Sequence, residues 1–267
     1  MTDENKPLLP EDQSQTKTPW DVLRTFTDAR IALGRVGASL ETQEVLKFGM
    51  AHAKARDAVH TPLDVTDLAT QLKEEQFMVL QAYSKATDRS TYLMRPDLGR
   101  QLSEESRHNF ISLNMNADIC FVLADGLSAM AVQSHALYLL KELRTQWPID
   151  WADSPVVIAT QGRVALGDAI AETFKAACVI VLIGERPGLC SPDSLGVYLT
   201  YAPKIGRTDA ERNCVSNIRP QGLSYHEAAK KIKWLAETSL QLKLSGVQLK
   251  DESDIYPKPL ESRGGGK

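Results

Sequence analysis

The sequence predicts an α/β fold with a mostly parallel sheet and a helical N-terminal region. Three short runs, 118–124, 155–160 and 178–184, are almost wholly apolar, with Asp118 opening the first and Thr160 closing the second. Strands buried on both faces of a parallel sheet read this way, because neither face meets water. Stretches of helical periodicity separate the runs, at 128–143 and 167–177. Before about residue 115 the apolar residues recur almost wholly at helical spacing. The expected organisation is a tail over 1–19, a mainly helical region over 20–112, and a Rossmann-like domain over 113–267.

Residues 1–19 hold three prolines and six charges, with Leu8 and Leu9 as the sizeable apolar side chains. Too little apolar surface is present to offset the entropy of ordering, so the tail is expected to be disordered. Thr18, Pro19 and Asp21 have the chemistry of a helix start, and Trp20, Leu23 and Phe26 follow at helical spacing. A second helix fits 41–58. The start signal recurs at Thr61, Pro62 and Asp64, and a third helix runs on through Leu68 and Leu72. The Arg and Asp residues here (Asp28, Arg30, Arg35, Arg56, Asp57) read as solvated faces. After the three apolar runs, 194–201 alternates and reads as an added, antiparallel edge strand. A last helix fits 224–242, with Tyr225, Ile232 and Leu235 on its inner face.

Composition excludes several classes. At 267 residues, 43% hydrophobic and 24% charged, the chain is neither collagen-like nor a coiled coil, and it is long enough to bury a core without disulfide staples. A net charge of −3 and a pI near 6.0 give no reason to expect a nucleic-acid partner. The longest apolar run, 176–184, is far short of a membrane span. The N-terminus lacks a basic start followed by an apolar core, so the protein is expected inside the cell. Cys120, Cys178, Cys190 and Cys214 form no C-x-x-C pair and read as reduced, buried thiols.

In an open α/β sheet, ligands bind in the crevice beyond the carboxyl ends of the strands. Three such ends converge here, at Asp125-Gly126, at 161–164 and at 184–186. None carries a nucleotide signature. No G-x-G-x-x-G joins strand to helix, and Asp168 stands where a P-loop needs Lys. Ser128 and His135 share a helical stretch without a nucleophile elbow. His52, His60, His108, His135 and His226 show no metal-ligand spacing and read as structural. No catalytic constellation and no metal site is expected. A binding subunit, a stand-alone α/β oxidoreductase and a ligand-free adaptor all remain open.

Seven strings in series resemble one family, the small (light) subunit of ethanolamine ammonia-lyase. They are DARIALGRVGASL at 28–40, HAKARDAVH at 52–60, RPDLG at 95–99, ADGLSA at 124–129, QGRVALGD at 161–168, IGERPGL at 183–189 and DAERNCVSNIRP at 209–220. The resemblance covers about 20–245 and implies the following. The holoenzyme converts ethanolamine to acetaldehyde and ammonia by a radical mechanism that uses adenosylcobalamin. A large subunit holds the substrate. The small subunit covers the lower side of the cobalamin with its Rossmann-like domain. Six of each assemble as a dodecamer, in many bacteria within a cytoplasmic microcompartment. The family's cobalamin contacts fall on Val164, Glu185 and Cys214, with Arg163 adjacent. Val164 and Glu185 lie at the ends of the second and third apolar runs, where the crevice was placed on fold grounds alone. Glu185 is expected to accept hydrogen bonds, Val164 to offer apolar or carbonyl contact, and Cys214 to touch through backbone or thiol. No D-x-H-x-x-G string occurs, so cobalamin is expected to keep its own lower base on cobalt.

Overall fold

A computed structural model describes residues 19–27 and 29–255. The expected tail up to residue 18, the proposed Thr18 cap, Asp28 and the C-terminal 256–267 lie outside the described residues. The chain divides into two compact units between His52 and Ala53.

The first unit holds helix α1 (Pro19–Arg24), a two-residue hairpin β1 (Arg35–Val36) and β2 (Ser39–Leu40), and most of helix α2 (Thr42–His60). The spacing of Trp20 and Leu23 is helical as expected, but the helix stops before Phe26, and all three side chains are exposed. Glu44 anchors this unit, 2.8 Å from Lys47 and 3.7 Å from Arg24.

The second unit is built on a six-stranded mixed sheet. Its strands are β3 (Val79–Tyr83), β4 (Ile119–Ala124), β5 (Val156–Thr160), β6 (Cys178–Gly184), β7 (Leu195–Tyr201) and β8 (Arg212–Ile218), in the spatial order β3-β5-β4-β6-β7-β8. The first four in that order run parallel, and β7 and β8 add antiparallel. Every residue of β4 and β6 is buried, which accounts for their unbroken apolar sequences. Two core clusters lie on the two faces. One holds Leu68, Leu72, Leu139, Leu143, Ile232 and Leu235. These side chains come from α3 (Val65–Glu74), α6 (Ala129–Gln146) and α8 (Tyr225–Leu242). The other packs Phe110 of α5 (Glu104–Leu113) and Ile170 and Phe174 from and just after α7 (Leu166–Thr173) against alternate residues of the same strands. A short helix α4 (Arg89–Met94) precedes α5.

Several details differ from the sequence reading. The helical N-terminal region also supplies β3, an edge strand whose burial is partial. The strand read at 194–201 is antiparallel as expected but not an edge, because β8 pairs outside it. Helix α3 is capped by Asp64, whose side chain accepts from Asp67 N at 2.9 Å, and not by Thr61, whose hydroxyl donates to the Asp57 carbonyl. Of the four cysteines, all free, Cys120 and Cys178 are buried and Cys190 and Cys214 are exposed.

Candidate functional site

The β4 and β5 strand ends meet, but their meeting point is filled by the protein's own side chain. Gln161, just after β5, takes a left-handed backbone conformation (φ +54°). That bend aims successive N–H groups at one point, the usual geometry of an anion-binding nest. Asp125 occupies it: its two carboxylate oxygens accept from Gln161 N and Gly162 N, each at 2.9 Å. Asp125 is 3% exposed, and burial raises its carboxyl above the ordinary range despite these bonds and an Arg89 guanidinium at 3.8 Å. The loop that looked like a failed P-loop is thus closed by an internal carboxylate. Asp168, the residue in place of the P-loop lysine, points elsewhere and pairs with Arg212 at 2.6 Å, both side chains fully buried.

The open part of the sheet lies further along. On the face that carries α7, β6 is covered, whereas β7 and β8 present Tyr198, Cys214 and Ser216 at least partly to solvent. Glu185, the residue after β6, lies across Gly196 of β7. A Cβ at Gly196 would sit 2.8 Å from the Glu185 carboxylate. The Ser194 hydroxyl and the Asn217 N–H (3.4 Å) both donate to the same carboxylate oxygen. Cys214 is the β8 partner of Tyr198 on β7, so the phenol and the thiol lie side by side on the sheet. Loss of water around the sulfur, and then the Glu185 charge, hold the Cys214 thiol above its ordinary value, although the residue as a whole is exposed. Burial, assisted by Cys214 and Glu185, pushes the Tyr198 hydroxyl to about 12. This is an unreactive thiol and a neutral phenol beside a carboxylate. The arrangement is one for hydrogen bonding and flat contact, not for nucleophilic attack.

The sequence-derived residues therefore separate into two places. Glu185 and Cys214 come together around Tyr198. Val164 is half-buried and packs, like Tyr198, against the core cluster under α7. Its carbonyl accepts the Gly167 N–H at 3.0 Å. Arg163 turns the other way, donating to the Tyr92 carbonyl at 3.2 Å with its guanidinium 4.3 Å from the Tyr92 ring centroid. Glu185 makes no ion pair among the described residues, and the neighbouring Arg186 is exposed. Sequence reasoning missed Tyr198, Gly196 and Ser194. The period-2 alternation of β7 carries the signal, since it places Gly196, Tyr198 and Thr200 on one face.

Behind the Glu185 loop, His135 of α6 joins three elements. Its Nδ1 lies 2.8 Å from the Tyr225 hydroxyl and its Nε2 lies 3.3 Å from Asp193. Ser128 donates to the Pro192 carbonyl at 2.7 Å. The expectation of a structural histidine holds, and the loop that precedes Ser194 is anchored at both points. Among the described residues no group of three or more His, Cys, Asp or Glu is placed to hold a metal ion, and no helix is long and apolar enough to cross a membrane.

Comparison with known proteins gives a consistent result. The family model for the ethanolamine ammonia-lyase light chain (EutC) matches residues 17–250. An ethanolamine ammonia-lyase small subunit from Pseudomonas fluorescens is 50% identical over 254 residues, 93% of this chain and 92% of the relative. One from Xanthomonas campestris pv. campestris is 51% identical over 240 residues, 88% of each chain. One from Azotobacter vinelandii is 50% identical over 245 residues, 90% of this chain and 91% of the relative.

Proposed function

This chain belongs to the ethanolamine ammonia-lyase light-chain family, and from that premise we propose that it is the small subunit of an adenosylcobalamin-dependent lyase that turns ethanolamine into acetaldehyde and ammonia. In this reading its Rossmann-like sheet covers the lower side of the cobalamin, and the large subunit holds the substrate. When bound, adenosylcobalamin supplies the radical that starts the reaction, by homolysis of its cobalt–carbon bond.

The observation that carries the proposal is the Glu185 carboxylate, laid over Gly196 and oriented by Ser194 and Asn217 beside the open strip of Tyr198 and Cys214. The residues fit such a ligand. A carboxylate oriented by two donors keeps lone pairs free for ribose hydroxyls or the amides of a corrin rim. Gly196 leaves no side chain between that carboxylate and the sheet. Tyr198 and Val164 offer apolar surface suited to a flat ring system or base. This chain's contribution is to bind, to orient and to keep water from the lower face.

Cobalamin is proposed to bind with its own dimethylbenzimidazole on cobalt. His135 is 5% exposed and has both ring nitrogens within reach of partners, and no other histidine lies on β7, β8 or the strand-end loops. Electron paramagnetic resonance of the holoenzyme with isotopically labelled cofactor tests this; a protein imidazole nitrogen on cobalt would refute it. The reading as a whole is tested by mixing this chain with a large subunit and titrating adenosylcobalamin. Acetaldehyde is expected from the mixture and from neither subunit alone. A mixture that neither binds the cofactor nor forms product would leave an adaptor role in its place. Residence in a cytoplasmic microcompartment is proposed on the same family grounds, and imaging of the tagged chain in a cell that makes such compartments tests it.

A further inference from the structure

Among the described residues, seven buried side-chain polar atoms lack a hydrogen-bond partner, and three of them fall on the loop after β5 and the helix it touches. They are Arg89 Nη2, Gln161 Oε1 and Arg163 Nε. Buried polar atoms in folded proteins are nearly always satisfied, so three in one neighbourhood mark a point of unfilled hydrogen-bonding capacity.

The charges agree. Arg89 and Arg163 both stack on Tyr92, with guanidinium carbons 4.7 and 4.3 Å from the ring centroid. Arg89 is fixed by its bonds to the Val59 and Gly126 carbonyls at 2.6 and 2.8 Å. Tyr92 is 1% exposed and hydrogen-bonded to the Gly162 carbonyl at 3.3 Å, so the platform is rigid. Asp125 is the carboxylate that forms an ion pair with this cluster, at 3.8 Å from Arg89, and both its oxygens already serve the Gln161 and Gly162 N–H groups. Arg163 has no carboxylate partner among the described residues. Its Nη2 bonds to a backbone carbonyl, and its Nη1 bonds to nothing described. Two cations and one anion leave a net charge of +1 at a partly buried point, which favours a monoanion presenting two oxygens to a guanidinium fork.

We infer that Arg163, seated on Tyr92 and backed by Arg89, is the subsite for a phosphodiester, namely the one on the nucleotide arm of cobalamin. The inference rests on the cobalamin reading above. The charge balance selects this group: protonated ethanolamine would be repelled, the corrin amides are neutral, and the phosphodiester carries the one fixed negative charge of the arm.

The test uses the complex reconstituted with the large subunit and three corrinoids, with binding read by absorbance or equilibrium dialysis. Adenosylcobalamin has the whole arm, adenosylcobinamide phosphate keeps the negative charge without ribose or base, and adenosylcobinamide lacks the charge. Arg163→Gln is expected to weaken the first two by roughly 10- to 100-fold, the range for a charge-assisted hydrogen bond. It should leave adenosylcobinamide unchanged, and Arg163→Lys should recover part of the loss. Equal loss for all three corrinoids would reduce Arg163 to a structural role and overturn the inference, as would unchanged cobalamin affinity. Inorganic phosphate provides a second measurement, needing no variant. It should compete with adenosylcobalamin and not with adenosylcobinamide in the wild-type complex; competition with neither overturns the inference. Phosphate binding that depends on Arg163 while cobalamin affinity does not would assign the site to free phosphate instead. A wild-type complex that binds no corrinoid at all would instead sink the cobalamin reading itself.

Discussion

Single side chains decide what the strand ends can hold. Glu185 was readable from its place after an apolar run, but its orientation was not: Ser194, Asn217 and Gly196 set it, and they come from the β6–β7 loop and from two other strands. Glu185→Ala is expected to weaken cobalamin binding by about 1–3 kcal/mol, the value of a hydrogen bond to a charged group. Spectral titration of the reconstituted complex measures it, and an unchanged affinity would make the residue structural. Gly196→Ala should imitate that loss while leaving the fold intact, because the new methyl would meet the carboxylate at 2.8 Å and displace it. A variant that binds cobalamin normally would show that the carboxylate has another productive position. Asp168 teaches the opposite lesson. By sequence it looked like a carboxylate misplaced in a phosphate loop; in the fold it is the buried counter-ion of Arg212, which also donates to the Thr200 hydroxyl at 2.8 Å. Asp168→Ala would leave a buried guanidinium unpaired, at a cost of about 3–5 kcal/mol. Urea unfolding monitored by tryptophan fluorescence reads this out, and a loss below 1 kcal/mol would mean that water or Asp209 takes over the pairing.

Among the elements, the central strands were legible and the outer ones were not. Strands β4, β5 and β6 lie between neighbours and under helices, so their sequences are apolar without interruption. At the edges, β3 and β8 have one face or one side in water and read VLQAY and RNCVSNI, which no run of apolar residues announces. The site depends on β8, so half of its geometry rested on the element least visible in the sequence. A short 3-10 turn, Asp209–Glu211, leads into that strand and carries a capping box between Thr208 and Glu211. The Thr208 N–H and hydroxyl and the Arg207 guanidinium all bond to Glu211 and hold its carboxyl down at about 2, against an ordinary value of 4.5. A depressed carboxylate favours the folded turn at any pH above the ordinary value. That contribution declines as the pH falls from about 4.5 toward about 2. Glu211→Gln should therefore make stability less dependent on pH within that window. Parallel acid-unfolding curves for the two proteins would show instead that the turn does not couple to global unfolding.

At the scale of the assembly, what this chain is proposed to offer is a binding surface. Its candidate site is an open strip bearing a carboxylate, a phenol and an unreactive thiol, next to a cluster of two arginines and a tyrosine. Such a surface can hold a cofactor against another protein. The family relationship extends over most of the chain, so the whole fold and not one motif is shared with the small subunits. Native mass spectrometry of the mixed subunits is expected to give an assembly of six small and six large chains. A stable complex with any other ratio would require a different packing for this family member.

Apolar runs, helix signals and seven motif strings were enough to place this chain in its class and its family, because burial on both faces of a strand and capping chemistry are written locally. Three decisions needed the folded chain: that Asp125 closes the β4–β5 crevice, that Glu185 and Cys214 meet around Tyr198, and that Arg163 leaves them to stack on Tyr92. Each depends on which residues distant in sequence become neighbours across strands. Hydrogen-bond partners and charge balance follow from that proximity, and no linear pattern encodes it.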